Sequence, residues 1–151
     1  MGCDAIELDV FRLKDDTLIV FHGGGTDESP GDLQGYFDQK GNVLDFTYDQ
    51  VKDLQFVSTN PEFPLPPEII AQSHIPTLEQ VFRELKQQKR RMQVKIELKG
   101  PNTVEPTSEL VDRLDMVDQC VFSSFDISQL ELLRNIKSET NKRGDCVYRT
   151  G

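Results

Sequence analysis

The chain has 151 residues, which fits one domain of ordinary size. Its 17 Lys and Arg against 26 Asp and Glu give a net charge of -9, which disfavours nucleic acid and anionic membranes as partners because both are negatively charged. No apolar run approaches the ~20 residues of a membrane span, so no stable membrane insertion is expected. The three widely spaced cysteines predict reduced thiols in a cytoplasmic or other reducing compartment.

The first half of the chain is predicted to hold two strands and a long irregular segment. The strands lie at 5–13 and 18–22, separated by the turn-forming residues "KDD". A polar, glycine-rich composition predicts a loop over 23–42, and a short helical piece begins at Thr47. The proline-rich residues 60–68 can form neither a helix interior nor a central strand.

Strands and helices alternate in the second half, which predicts parallel βαβ units. The clearest helix begins after Thr77, which forms a capping-box pattern with Gln80 ahead of an apolar stripe. Its basic end, residues 86–91, is expected to be solvated rather than to bind nucleic acid. The predicted elements that follow are a strand at 92–99, a helix at 106–115, a strand at 120–125, a helix at 127–137 and a strand at 145–149.

Two of the predicted strands carry charged residues on the face opposite their apolar residues. Glu7 and Asp9 alternate with apolar residues in the first strand, and Glu97 and Lys99 do so in the strand at 92–99. A solvent-facing edge strand would explain either pattern alone. Both together favour one polar site at the C-terminal ends of parallel strands. Carboxylates converging there would repel one another unless a cation bound between them, and oxygen ligands suit Mg²⁺ or Ca²⁺.

The two histidines have different settings. His22 ends the second strand and precedes three glycines, which would let a ligand approach the backbone. Because it lies close in sequence to the paired carboxylates, it is predicted to act as a general acid or base in phosphoester chemistry. His74 lies in a loop before a helix cap and is predicted to be structural or merely exposed.

These motifs, taken in order, resemble the glycerophosphodiester phosphodiesterase family. The resemblance rests on "DAIELDVFRLKDDTLIVFH", "VLDFTYDQVKDL", "IPTLEQVF", "VKIELKG" and "VFSSFD", and it covers nearly the whole chain. It implies an α/β fold, the (β/α)8 TIM barrel, of which this chain would hold about strands 2 to 5. Residues 1–151 would be a partial domain of this family, with an irregular insertion or loop region at 23–75 after the second strand.

The resemblance also implies a reaction and roles for the residues. Members are metal-dependent hydrolases of lipid metabolism that cleave glycerophosphodiesters to glycerol 3-phosphate and an alcohol. By this resemblance Glu7, Asp9 and Glu97 would hold a divalent cation, Mg²⁺ or Ca²⁺. His22 would protonate the departing alkoxide, and Lys99 would neutralise the phosphate.

The same resemblance assigns roles to two further residues, and the chain departs from the family's motifs in several places. Ser124 and Phe125 fall in the family's Ser-Phe motif, where they would lie near the substrate, although core packing explains them equally well. The family's first-strand His-Arg-Gly and its Pro-Glu-Asn segment are absent, and Gly23 follows His22 where an acidic residue is more usual. A complete barrel needs about 250 residues. We therefore expect a fragment with little or no hydrolytic activity on its own.

Three functions remain open at this stage. The chain belongs to a phosphodiesterase whose sequence is incomplete, or it is a short protein that binds metal or phosphate without catalysis. Alternatively, it comes from a related barrel enzyme acting on lysophospholipids or sphingolipids. The expected partner of the enzyme is a small glycerophosphodiester or lysophospholipid. The sequence predicts neither the head group, nor the choice between the two cations, nor the oligomeric state.

Overall fold

The computed structural model describes residues 3–26, 29–57, 65–88 and 91–139, which form an α/β structure. The strands are β1 (Ala5–Arg12), β2 (Leu18–Val20), β3 (Gly24–Thr26), β4 (Ser29–Asp32), β5 (Gln93–Leu98) and β6 (Cys120–Ser123). The helices are α1 (Tyr48–Val51), α2 (Pro67–Gln72), α3 (Leu78–Gln87), α4 (Val104–Arg113) and α5 (Ile127–Glu139), with 3-10 turns at Val43–Asp45 and Val117–Gln119.

Within these ranges the main sheet has the strand order β2-β1-β5-β6. Strand β1 is parallel to β5, and β5 is parallel to β6, as the alternation of strands and helices predicts. Strand β2 is antiparallel to β1 because only a tight turn connects them. The parallel register places Glu7 beside Lys95 and Asp9 beside Glu97, so these charged side chains share one face of the sheet.

The opposite face of the sheet packs against helices α3, α4 and α5. Leu78 and Phe82 of α3 are fully buried against the apolar residues of β5. Each such side chain contributes about 1.5–3 kcal/mol through its removal from water. The predicted capping box starts the helix: Thr77 Oγ1 accepts from the Gln80 N–H at 3.1 Å, and Gln80 Oε1 accepts from the Thr77 N–H at 2.8 Å.

A second core lies beneath the segment that follows β2. The prediction of a loop over 23–42 is wrong in part, because β3 and β4 form a short antiparallel hairpin there. Both strands contain glycine or proline, which are rare in strands, so their composition concealed the hairpin. The segment is held by apolar residues packed around Phe11, including Leu33, Phe37 and Val43.

The remaining predicted elements have mixed outcomes. Helix α2 was not predicted, and it begins at Pro67 because proline is tolerated in the first turn of a helix. Residues 60–64 of the proline-rich segment and the predicted strand at 145–149 lie outside the described residues. In the described part of the chain, no helix is both long enough and apolar enough to cross a membrane.

Candidate active site

An ion-pair cluster forms where β1 and β5 approach their C-terminal ends. The Lys99 ammonium lies 3.3 Å from Asp9 Oδ1 and 3.1 Å from Glu97 Oε1. The three side chains, here named the Lys99 cluster, are 16%, 18% and 12% exposed for Lys99, Asp9 and Glu97. Because solvent reaches them so little, their attraction is screened less than that of surface pairs. The structure thus brings three of the predicted site residues together.

Strand register and a tight turn set the position of Lys99. Its backbone N–H donates to the Val10 carbonyl oxygen at 2.9 Å, which extends the pairing of β1 and β5 by one residue. The next residue, Gly100, has a φ of +69°, a backbone conformation that residues other than glycine rarely adopt. The chain therefore turns away immediately after Lys99 and leaves its side chain at the end of the strand.

The electrostatics of the cluster keep Lys99 charged. Burial on its own would lower the pKa of the Lys99 ammonium, but the attraction of Glu97 and Asp9 outweighs it and the pKa is raised. With one positive and two negative groups, the cluster carries an excess negative charge at neutral pH. It can attract a cation, and Lys99 can offer its charge to an anion.

Glu7 does not join this cluster. It lies one step earlier along the same face of β1 and pairs with Lys95 at 2.5 Å, where both side chains are about half exposed. The alternation in β5 put Lys95 on this face, yet sequence reasoning gave it no role. Among the described residues, no three His, Cys, Asp or Glu side chains are grouped so that they could hold a metal ion.

The two inner carboxylates nevertheless fit a divalent cation. Glu97 Oε1 is buried and has no hydrogen-bond partner among the described residues. Its 3.1 Å contact with the Lys99 ammonium is an ion pair. Carboxylate oxygens are the hard donors that Mg²⁺ and Ca²⁺ prefer. Asp9 and Glu97 are therefore suitable ligands, and Lys99 supplies the positive charge between them in this structure.

His22 lies on the chain segment alongside β1, outside the cluster. The Phe21 N–H donates to the Asp9 carbonyl oxygen at 3.0 Å, which holds the segment before His22 beside Asp9. The His22 ring is exposed, and its Nδ1 lies 2.8 Å from the Gly23 carbonyl oxygen. A carbonyl oxygen only accepts, so Nδ1 carries the proton and Nε2 is left for other partners. Within the described residues, the ring makes no hydrogen bond to the Lys99 cluster.

Ser124 and Phe125 follow β6 and serve different purposes. The buried Ser124 Oγ donates to the Leu98 carbonyl oxygen at 3.0 Å and accepts from the Asp126 N–H at 3.1 Å, so it joins the ends of β5 and β6. Phe125 is 68% exposed, which excludes core packing, and the Lys99 ammonium lies 5.7 Å from its ring centroid. This distance allows a cation–π contact.

Both residues line a cleft of about 90 Å³ that also contains Glu97, Lys99 and Gln129.

Sequence reasoning missed the residues that support this cleft. Gln129 Nε2 donates to the Gly100 carbonyl oxygen at 3.0 Å, and its Oε1 accepts from the fully buried Thr103 hydroxyl at 3.0 Å. One amide thus ties α5 to the turn that follows Lys99. A glutamine within a helix has no pattern that marks such a role, so the sequence offered no signal for it.

The fold and the cluster together define a class of protein, an α/β protein with two carboxylates and a lysine at the ends of neighbouring parallel strands. The particular family follows from comparison with known proteins. The model of the glycerophosphoryl diester phosphodiesterase family matches residues 1–149, and this chain belongs to that family. Among curated proteins, no relative matches its sequence.

Solved structures are similar in fold. A Galdieria sulphuraria protein matches with a TM-score of 0.73 and 22% identity, covering 95% of this chain and 51% of that one. A glycerophosphodiester phosphodiesterase from Agrobacterium tumefaciens matches with a TM-score of 0.70 and 25% identity, over 91% of this chain and 52% of that one. One from Parabacteroides distasonis matches with a TM-score of 0.66 and 24% identity, over 96% and 51%. The chain has the TIM-barrel-like fold of this family and spans about half the length of these structures.

Proposed function

We propose that this chain carries the cation- and phosphate-binding part of an active site that hydrolyses glycerophosphodiesters to glycerol 3-phosphate and an alcohol. The observation that supports this proposal is the Lys99 cluster, in which two carboxylates and a lysine meet at the ends of neighbouring parallel strands. Membership of the phosphodiesterase family supports the same reaction. The substrate class is small glycerophosphodiesters of lipid metabolism.

Asp9 and Glu97 would hold the divalent cation, Mg²⁺ or Ca²⁺, with Glu7 as the third carboxylate once it leaves Lys95. When bound, the cation would act as a Lewis acid and polarise the phosphoryl oxygens. The positive charge of Lys99 would then stabilise the negative charge that builds up on the phosphate as the ester bond breaks. Phe125 would flank the phosphate through its contact with Lys99.

His22 is the proposed proton donor to the leaving alcohol. As water adds to phosphorus and releases a proton to the solvent, the ester P–O bond breaks and the protonated ring would give its Nε2 proton to the departing oxygen. The Gly23 carbonyl oxygen accepts a hydrogen bond from Nδ1, which leaves Nε2 as the nitrogen available for this transfer. Ser124 would act indirectly by keeping the ends of β5 and β6 together.

We further propose that residues 1–151 represent about strands 2 to 5 of an eight-stranded barrel, with 23–75 as an insertion after the second strand. The parallel order of β1, β5 and β6 supports this assignment. On this proposal, turnover requires residues from the other part of the barrel, whereas binding of the cation and the phosphate resides in the strands described here.

The test separates binding from turnover. Calorimetric titration with CaCl2 and MgCl2 should show cation binding that Glu97→Gln abolishes. Binding of glycerol 3-phosphate in the presence of the cation should be lost in Lys99→Met. Phosphorus NMR with glycerophosphocholine then reports whether any diester is converted to monoester.

Absence of both cation and phosphate binding in the native chain would contradict the proposal. Binding without turnover would support the assignment of the site and require the rest of the barrel for catalysis. Cleavage of lysophospholipid in place of glycerophosphocholine would overturn the proposed substrate class.

A further inference from the structure

Two buried side-chain oxygens on neighbouring strands lack a hydrogen-bond partner among the described residues. One is Glu97 Oε1 and the other is the hydroxyl of Ser123, a residue that is only 6% exposed. Glu97 of β5 and Ser123 of β6 are direct partners in the strand register. Because neighbouring strands lie about 4.8 Å apart and register partners share a face, Glu97 and Ser123 are neighbours on one face of the sheet.

An unpartnered buried hydroxyl is unusual, because buried polar groups normally find a partner. The following residue illustrates the ordinary case. The Ser124 hydroxyl makes two hydrogen bonds to the backbone and joins the strand ends. Within the described residues the Ser123 hydroxyl makes no hydrogen bond, and its register partner Glu97 carries a buried acceptor, Oε1, that also lacks one.

We propose that Ser123 is a positioning residue for Glu97. Its hydroxyl donates a hydrogen bond to the Glu97 carboxylate when the cation site is filled, and so fixes the orientation of that carboxylate. Carboxylates that bind metals are commonly held by such hydrogen bonds, and loss of the supporting group typically weakens metal binding by 10- to 100-fold. This inference rests on the proposed function, since it assumes that Glu97 is a cation ligand.

The experiment measures cation affinity in the 151-residue chain by calorimetric titration with CaCl2 and MgCl2. Ser123→Ala should raise the dissociation constant by about 10-fold or more. The melting temperature of the cation-free chain should stay close to the native value, because the substitution breaks no hydrogen bond. Thr107→Val is the matched control, since the Thr107 hydroxyl is also buried and unpartnered but lies on α4. It should leave the cation affinity unchanged.

A shape-matched pair at the same position separates the hydroxyl from packing. Ser123 lines a cleft of about 260 Å³, which gives an added methyl group room. Ser123→Thr keeps the hydroxyl and should bind the cation within a few-fold of the native chain. Ser123→Val has the same shape without the hydroxyl and should bind about 10-fold more weakly. This comparison holds even if Ser123→Ala proves unstable.

The outcomes distinguish the two proposals. If Glu97→Gln loses the cation while Ser123→Val binds as tightly as Ser123→Thr, the role of Ser123 is overturned and the cation site stands. If the native chain binds neither Ca²⁺ nor Mg²⁺, the cation site is overturned and the role of Ser123 falls with it. Weak binding by Ser123→Val and native-like binding by Ser123→Thr and Thr107→Val would support the inference.

Discussion

Replacing Lys99 by methionine should test the central ion-pair cluster most directly. The substitution keeps much of the side chain's length and removes its charge. At an effective dielectric constant of about 20, charges 3.1 and 3.3 Å apart attract by about 5 kcal/mol each before desolvation is counted. Breaking a buried pair by removing one partner typically costs about 3–5 kcal/mol. Since Asp9 and Glu97 retain some exposure, we expect a loss of about 3 kcal/mol in the free energy of unfolding.

The same substitution should make the chain more responsive to divalent cations. In the native chain a cation must displace the Lys99 ammonium from the two carboxylates. In Lys99→Met the carboxylates have no positive partner in the cluster, so a cation can bind them without this competition. Urea unfolding with EDTA and with CaCl2 measures both effects. We expect Ca²⁺ to restore more stability to the variant than it adds to the native chain.

The matched control is Lys95→Met, which breaks the exposed pair with Glu7. Exposed pairs contribute about 0–1 kcal/mol, so this variant should lose little and should not alter the Ca²⁺ response. Equal losses in the free energy of unfolding in Lys99→Met and Lys95→Met would refute the larger contribution expected from Lys99. So would a Lys99→Met variant that Ca²⁺ fails to stabilise.

The pH dependence of this loss follows from the raised pKa of Lys99. A group whose pKa is raised by folding contributes its full stability below its unfolded pKa, about 10.4 for lysine, and loses it as the pH rises through the folded value. The difference in the free energy of unfolding between the native chain and Lys99→Met should therefore be present at neutral pH and shrink as the pH rises through the raised pKa of Lys99.

Three further predictions concern other parts of the chain. Gln129→Met should lose about 2 kcal/mol in urea unfolding, because it removes two hydrogen bonds, one from the buried Thr103 hydroxyl and one to the Gly100 carbonyl oxygen, and leaves the hydroxyl only a 3.5 Å contact with that carbonyl; a loss below about 0.5 kcal/mol would contradict this. Iodoacetamide should alkylate the exposed Cys3 but not Cys120, because burial raises the pKa of the Cys120 thiol to about 12; peptide mass mapping of the folded chain would reveal any exception. Glu79→Gln should lose less than about 1 kcal/mol at neutral pH, since Glu79 is a third exposed. Hydrogen bonds from two arginines lower the pKa of Glu79, so this loss should fade as the pH falls through the carboxyl range, and a pH-independent loss would argue against it.

Much of the helical half could be predicted because its signals are local. The capping box of Thr77 and Gln80 involves residues three positions apart and specified where α3 begins. The alternation of charge and apolar residues likewise predicted which face Asp9 and Glu97 would share. These patterns depend on the geometry of a single helix or strand, which the sequence carries in full.

The pairing of charges across strands could not be predicted in the same way. Glu7 meets Lys95, a residue 88 positions away, only because of the register between β1 and β5. A shift of about two residues would keep every side chain on its face and place Glu7 beside Glu97 instead. The choice between these registers depends on packing over the whole sheet, so the separation of Glu7 from the Lys99 cluster appears only in the structure.

The Phe11 ring limits the space beside two glycines, one in the insertion and one next to Lys99. A Cβ added at Gly31, in the hairpin, would meet Phe11 Cε1 at 3.1 Å, and one added at Gly100, beside Lys99, would meet Phe11 Cδ1 at 3.3 Å. Both distances are shorter than an ordinary van der Waals contact, so a larger residue at either glycine would have to displace the Phe11 ring. In evolutionary terms, the two glycines are constrained twice: the Phe11 ring limits the space at each of them, and their positive φ angles of +95° and +69° would disfavour other residues even beside a smaller side chain.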